Sequence, residues 1–236
     1  MIRAGTSPNR DERPKGVPID TLVLHYTGMQ SGAAALDRLC DPAAKVSAHW
    51  LIDEDGTTLA LVPETMRAWH AGVSFWRGHD GLNARSIGIE LVNPGHEFGY
   101  GPFPAAQMQA LIALATAILA RWPIPAVNVV GHSDIAPRRK ADPGELFDWR
   151  MLAAAGIGLW PDEADAVSLD PEVIRPLLAA IGYETVDLFA TLKAFQRRFR
   201  PARPNGRLDW QTARLIHGLA TLCEGREQGR GVAPQA

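Results

Sequence analysis

Cysteine, lysine and long apolar runs are all scarce in this chain, and each shortage removes a class of function. Only two cysteines, Cys40 and Cys223, occur among 236 residues. They lie far apart and outside any C-x-x-C, so neither a disulfide framework nor a thiolate metal site is expected. Both are predicted to be buried, unbridged thiols. No apolar stretch nears the ~18–20 residues that cross a bilayer. The longest, 105–122, is interrupted by Gln107, Gln109 and Arg121. Net charge is missing too: 24 Lys+Arg against 26 Asp+Glu leave −2, which gives no electrostatic case for nucleic acid. Residues 1–17 hold neither an apolar leader segment nor a lipobox cysteine. The expected location is therefore the cytoplasm, with a periplasmic or outer-membrane-associated protein as the alternative should a leader be missing. G-x-S-x-G and H-E-x-x-H are also absent, so a serine nucleophile elbow and a zincin helix are not expected.

With 46% hydrophobic and 21% charged residues, the chain can bury a real core. Residues 1–17, polar and proline-containing, read as a flexible arm. Short apolar runs predict strands near 22–26, 46–52, 57–62, 85–93 and 127–130, with Asp55-Gly56 as a hairpin turn. Ser31 can cap a short helix that Asp41-Pro42 stops. A longer helix should run from Pro104 to about Trp122, with Met108, Leu111, Ile112, Ala115, Ile118 and Leu119 as its apolar stripe. Residues 63–84, rich in Trp, His and Gly, read as a long binding loop. The expected fold is α/β, a mixed central β-sheet flanked by helices over 18–161, followed by a small three-helix domain. A polar connector at 162–168 leads to that domain at 169–225, with helices near 171–180, 187–200 and 209–222. Residues 226–236 read as a frayed tail.

Six of the seven histidines precede residue 150. His25 and His132 both fall where a buried strand meets a loop, and two such imidazoles can converge at one sheet edge. Asp142 precedes Pro143-Gly144, a turn that would hold its carboxylate on rigid backbone. Two imidazoles and one carboxylate, with a fourth position open, is the donor set of a hydrolytic zinc site. Sequence spacing does not establish that the three converge, and each alone is compatible with a packed or turn residue. Glu90 interrupts an otherwise apolar strand, a costly place for a carboxylate without a cation nearby. Half-desolvated, it would have a raised pKa and suit a general base; the bland reading is an edge-strand glutamate in water. Gly88, on the same strand face, would leave room for a ligand. Lysine is rare, with four residues, and Lys140 could stabilise an oxyanion or simply extend the solvated run Arg138-Arg139.

Several stretches together resemble zinc-dependent type 2 N-acetylmuramoyl-L-alanine amidases, whose fold is shared with peptidoglycan recognition proteins. They are LVLHYTG (22–28), VSAHWLID (46–53), AWHAGVSFWRG (68–78), LNARSIGIELVNPG (82–95), VVGHSDIAPRRKADPG (129–144) and LFDWRMLAAAGIGLWPD (146–162). The resemblance implies Zn2+ held by His25, His132 and Asp142, with Glu90 as catalytic base and Lys140 as transition-state partner. It implies hydrolysis of the amide between N-acetylmuramic acid, or its 1,6-anhydro form, and L-alanine of the stem peptide, in cell-wall turnover and recycling. Peptidoglycan or muropeptide fragments are the expected partners, with the protein acting as a monomer. His70, Trp76, His49 and Asn93 are candidate substrate contacts, whereas Trp69 is assigned to the core. The segment LKAFQRRFRPARPNGRLDWQTARLIHGL (192–219) resembles a small peptidoglycan-binding domain. Its six cations, Lys193, Arg197, Arg198, Arg200, Arg203 and Arg207, could attract an anionic wall polymer or merely face solvent. A wall sensor without turnover and a different zinc hydrolase remain the competing readings.

Overall fold

The computed structural model describes residues 2–4, 6–165 and 168–230. Its centre is a six-stranded mixed sheet built from β1 (Ile2–Ala4), β3 (Thr21–Tyr26), β4 (Trp50–Ile52), β5 (Thr58–Ala60), β9 (Ser86–Leu91) and β10 (Val129–Gly131). The spatial order is β1-β5-β4-β9-β3-β10. Only the β4–β5 hairpin, turned at Asp55-Gly56, is antiparallel; β4, β9, β3 and β10 run parallel. Small strand pairs accompany it: β2 (Arg10–Glu12) with β6 (Met66–Ala68), and β7 (Phe75–Trp76) with β8 (His79–Asp80).

Alternation along the strands divides the sheet chemically. Leu22, Leu24, Ile87, Ile89 and Leu91 form one core with Met108, Leu111, Leu114, Ala115 and Ile118 of the long helix α3 (Ala105–Arg121). The intervening residues Val23, His25, Ser86, Gly88 and Glu90 therefore share the other face. Short helices α1 (Gly32–Cys40), α2 (Gly95–Phe98), α4 (His132–Ile135) and α5 (Trp149–Ala154) fill the connections. Ser31 caps α1 as expected. Cys223 is buried, whereas Cys40 is partly exposed at the end of α1.

Where it is described, the segment expected as a flexible arm makes strand pairings and hydrogen bonds to the rest of the chain. β1 adds to the sheet edge and β2 pairs with β6. Asn9 donates through Nδ2 to the carbonyls of Asp41 and Val46, and Ser47 Oγ donates back to Asn9 O. Arg13 bonds the carbonyls of Glu64, Asn83, Ala84 and Ser86. The polarity that suggested a solvated arm instead satisfies loop backbone that would otherwise be buried without partners. Residues 63–84, expected as a long binding loop, contain the short strands β6, β7 and β8.

The three expected C-terminal helices are present as α6 (Pro171–Ile181), α7 (Leu188–Phe199) and α8 (Trp210–Arg230). Asp170 and Asp187 cap the first two. Of the expected tail, 226–230 continue α8 and 231–236 lie outside the described residues, as do 166 and 167 of the expected connector. These helices share a core with the sheet. Val23, Val130, Trp76, Leu82 and Ile135 cluster with Ile174, Leu178, Phe195, Phe199 and Ile216. At the centre of the junction, Asp134 accepts from Gly131 N–H, from Tyr183 Oη (2.7 Å) and from Arg198 Nη1 (2.9 Å). The Arg198 guanidinium also lies 4.0 Å above the Trp149 ring. Half of the suspected basic patch is thus engaged internally: Arg197 pairs with Glu145, Arg198 with Asp134 and Arg200 with Asp209.

With side chains only 5% and 1% exposed, Arg198 and Asp134 depend on each other. Arg198→Ala should strand a buried carboxylate and lower unfolding free energy by about 3–5 kcal/mol, measured by urea denaturation. Removing both groups should recover part of that loss.

Candidate active site

The parallel register places the first two candidate groups side by side, because His25 of β3 pairs directly with Glu90 of β9. Gly131, the last residue of β10, pairs with Leu24, so His132 emerges next to His25 as the first residue of α4. The turn after α4 returns Asp142 to the same point, where its carbonyl accepts from Ser133 N–H at 2.8 Å. Three side-chain atoms meet there. His25 Nδ1, His132 Nδ1 and Asp142 Oδ2 are 3.0 Å from one another along each side of a triangle.

All three residues are buried, and the surroundings shape their protonation. Burial, reinforced by His132, pushes His25 down to about 4 despite the opposing pull of Asp142. Burial alone would raise the Asp142 carboxyl, but the two imidazoles hold it well below the usual carboxylate range. Glu90 moves the other way. Burial first, then the Asp142 charge, push its carboxyl well above the ordinary value, with Lys140 opposing. Its Oε2 is buried without a hydrogen-bond partner among the described residues.

The donor set fits a divalent ion. His132 Nε2 donates to Ala71 O at 3.1 Å, which leaves its Nδ1 lone pair facing the triangle. Ligands at ~2.0–2.1 Å in tetrahedral geometry stand about 3.3 Å apart, close to the separation observed. Three protein ligands leave a fourth position for water or substrate, the arrangement of a hydrolytic rather than a structural site. The cluster forms part of the floor of a cleft of about 590 Å³, where Glu90 and Lys140 join it and Tyr26, Met29, Trp69, Phe98 and Arg139 form walls.

The N-acetylmuramoyl-L-alanine amidase family model (Amidase_2) matches residues 15–145. The chain is 41% identical over 229 residues to N-acetylmuramoyl-L-alanine amidase AmiD of Escherichia coli, covering 85% of this chain and 82% of that relative. The chain belongs to the N-acetylmuramoyl-L-alanine amidase family. A second relative, 1,6-anhydro-N-acetylmuramyl-L-alanine amidase AmpD of Enterobacter cloacae, is 39% identical over 63% of this chain and 86% of its own length. Among solved structures, E. coli AmiD with the substrate anhydro-N-acetylmuramic acid-L-Ala-D-gamma-Glu-L-Lys superposes with a TM-score of 0.79. That match has 38% identity and covers 89% of this chain and 92% of the other.

In this amidase the expected substrate contacts divide. His70 is 8% exposed and borders the cleft, but its ring nitrogens face inward to His25 Nε2 (3.0 Å) and Ser86 Oγ (3.1 Å). Trp76 lies away from the cleft. It stands edge-on to Tyr183 at 4.9 Å and donates to Asn128 Oδ1, at the junction with the helices. His49 is wholly buried, accepting from Gly88 N–H at Nδ1 and donating from Nε2 to Met66 O. Asn93 braces its loop, donating to Gly101 O and accepting from Gly95 N–H. Trp69, assigned to the core, instead lines the cleft. Trp69 lies between Ala68 and His70 and Trp76 between Phe75 and Arg77, and neither setting shows which ring the fold turns towards the cleft. The space at Gly88 is also taken, because a Cβ there would lie 2.5 Å from the His70 ring. The wall residues Tyr26 and Arg139 were not picked out. Tyr26 directly follows the candidate ligand His25 on its strand, which was the available signal.

Burial, then the Arg13 charge, push His49 down to about 3. It therefore stays neutral in the fold while the unfolded chain takes up a proton below ~6.5. Its share of stability is present at neutral pH and lost as pH falls from there towards 3. Urea unfolding of metal-free protein at pH 7 and pH 5 should show a smaller acid loss for His49→Gln than for wild type, by about 2 kcal/mol.

Proposed function

We propose that this chain is a zinc amidase that cleaves between N-acetylmuramic acid, in its ordinary or 1,6-anhydro form, and L-alanine of the stem peptide. The observation that carries the proposal is the triangle of His25, His132 and Asp142, with Glu90 paired to His25 across the strands and His132, Asp142 and Glu90 lining one cleft. It is supported by the family membership and by the substrate named for the solved relative. Zinc, when bound by His25, His132 and Asp142, would act as a Lewis acid that polarises the amide carbonyl and acidifies water.

Glu90 supplies the base. Its carboxylate, with Oε2 buried and without a hydrogen-bond partner among the described residues, has its proton affinity raised by burial, so it can take the proton of the attacking water and pass it to the departing alanine nitrogen. The carbonyl carbon gains oxygen, the C–N bond breaks, and the lactyl carboxylate and a free peptide amine result. Lys140 reaches the same electrostatic neighbourhood, since its charge acts on both Glu90 and His25. It would stabilise the oxyanion that develops on the carbonyl oxygen. Trp69, Phe98 and Tyr26 offer apolar faces for sugar and peptide. Residues 18–161 constitute the catalytic unit in this proposal, and the helices of 169–225 are its peptidoglycan-binding-like partner.

Incubating the zinc-loaded protein with 1,6-anhydro-muramyl tripeptide should release free tripeptide by mass spectrometry. Chelation should abolish release and added zinc restore it; a fully metallated protein that frees no peptide overturns the proposal. Glu90→Gln should retain zinc while kcat falls by roughly 10²–10⁴. For Lys140→Ala, steady-state kinetics should show a loss in kcat larger than the rise in KM.

A further inference from the structure

His132 and His25 reach the same triangle by different means. The far nitrogen of His132 meets a carbonyl directly, Ala71 O. The far nitrogen of His25 meets another imidazole, His70, which could either give or receive a proton. What decides the direction lies one residue further on. Ser86 Oγ is 2.7 Å from Leu82 O and 3.1 Å from His70 Nε2. A hydroxyl has one proton and a carbonyl has none to give. Two oxygens at the shorter separation without a proton between them would repel, so the hydroxyl proton points at Leu82 O. Ser86 Oγ then offers His70 Nε2 a lone pair, and Nε2 must carry the His70 proton. His70 Nδ1 is left as an acceptor for His25 Nε2–H, and His25 Nδ1 is left bare.

We propose that Ser86 and His70 are positioning residues: the chain Leu82 O, Ser86, His70, His25 fixes the His25 tautomer that presents Nδ1 to the metal. This rests on the metal site proposed above. The reversed chain would put a proton on His25 Nδ1, where Asp142 Oδ2 at 3.0 Å would accept it. That arrangement would occupy a ligand atom with a proton, and the Ser86–His70 chain opposes it whether or not metal is bound, so the polarity of the chain bears directly on metal affinity.

The surrounding structure holds the relay in place. Ser86, His70 and His25 are 0%, 8% and 1% exposed, which shields the bonds from competing water. The His70 ring occupies the space over Gly88 that any Cβ would fill. Asn83 Oδ1 accepts from the backbone N–H of both His70 and Ala71, at 3.0 and 2.7 Å. One side chain therefore pins the relay to His25 together with the residue whose carbonyl orients His132.

The decisive measurement is nitrogen-15 NMR of the imidazoles in metal-free wild-type protein, together with zinc competition titrations. His25 should appear as the Nε2–H tautomer. Ser86→Ala should shift it towards Nδ1–H and weaken zinc binding by about 10–100-fold, while circular dichroism stays unchanged. Ser86→Thr, which restores a hydroxyl, should recover both. A wild-type spectrum with His25 protonated on Nδ1 overturns the proposal, whether or not any variant folds. So does a folded Ser86→Ala protein with unaltered tautomer and zinc affinity. If wild-type protein binds no zinc, the metal reading fails separately, and the wild-type spectrum still decides the tautomer.

Discussion

A slip of one residue between β3 and β9 would bring Ile89 or Leu91 into line with His25 and send Glu90 to the opposite face. What prevents the slip is apolar burial on the side of the sheet away from the chemistry. Leu22, Leu24, Ile87, Ile89 and Leu91 must all face α3, and the strand period of two then leaves His25, Gly88 and Glu90 together on the other side. The spacing of His25 and Glu90 is therefore set by the hydrophobic core, without needing attraction between the polar groups themselves. For Glu90 the electrostatics are in fact adverse: burial and the Asp142 charge both raise the cost of ionising it.

Residues that broke a local pattern were the ones legible in the sequence. His25 and His132 close apolar runs, Glu90 interrupts one, and Asp142 precedes a turn dipeptide; the fold brings all four to one place. The central sheet was equally readable, because parallel strands buried on both faces leave continuous apolar segments. Reading failed where polarity has two meanings. Asn9 and Arg13 look solvated but tie down loop backbone. His49 and Asn93 look available to a ligand, yet their polar atoms bond backbone groups of their own chain. Trp76 and Trp69 were exchanged because only tertiary placement, the packing of Tyr183 above all, tells them apart.

The division into a catalytic part and an appended helical part captured the elements but not their dependence. A compositional break near 160 marks a change of secondary structure, and a boundary between cores would leave the same trace. Here Phe195 and Phe199 share a cluster with Val23 and Val130, so folding of the sheet's second face includes the helices. Asp134 makes the coupling specific. It sits two residues from a proposed ligand and takes a hydrogen bond from each of two helical-region residues, Tyr183 and Arg198.

That carboxylate restricts how the chain can be recombined. A protein engineer who exchanged the last helices for another binding module would uncover Trp76, Ile135 and Val130 to water and leave an anion without its guanidinium. A graft would have to import an arginine and a tyrosine at matching positions, so the seam is unsuited to cut-and-paste swapping despite its polar connector.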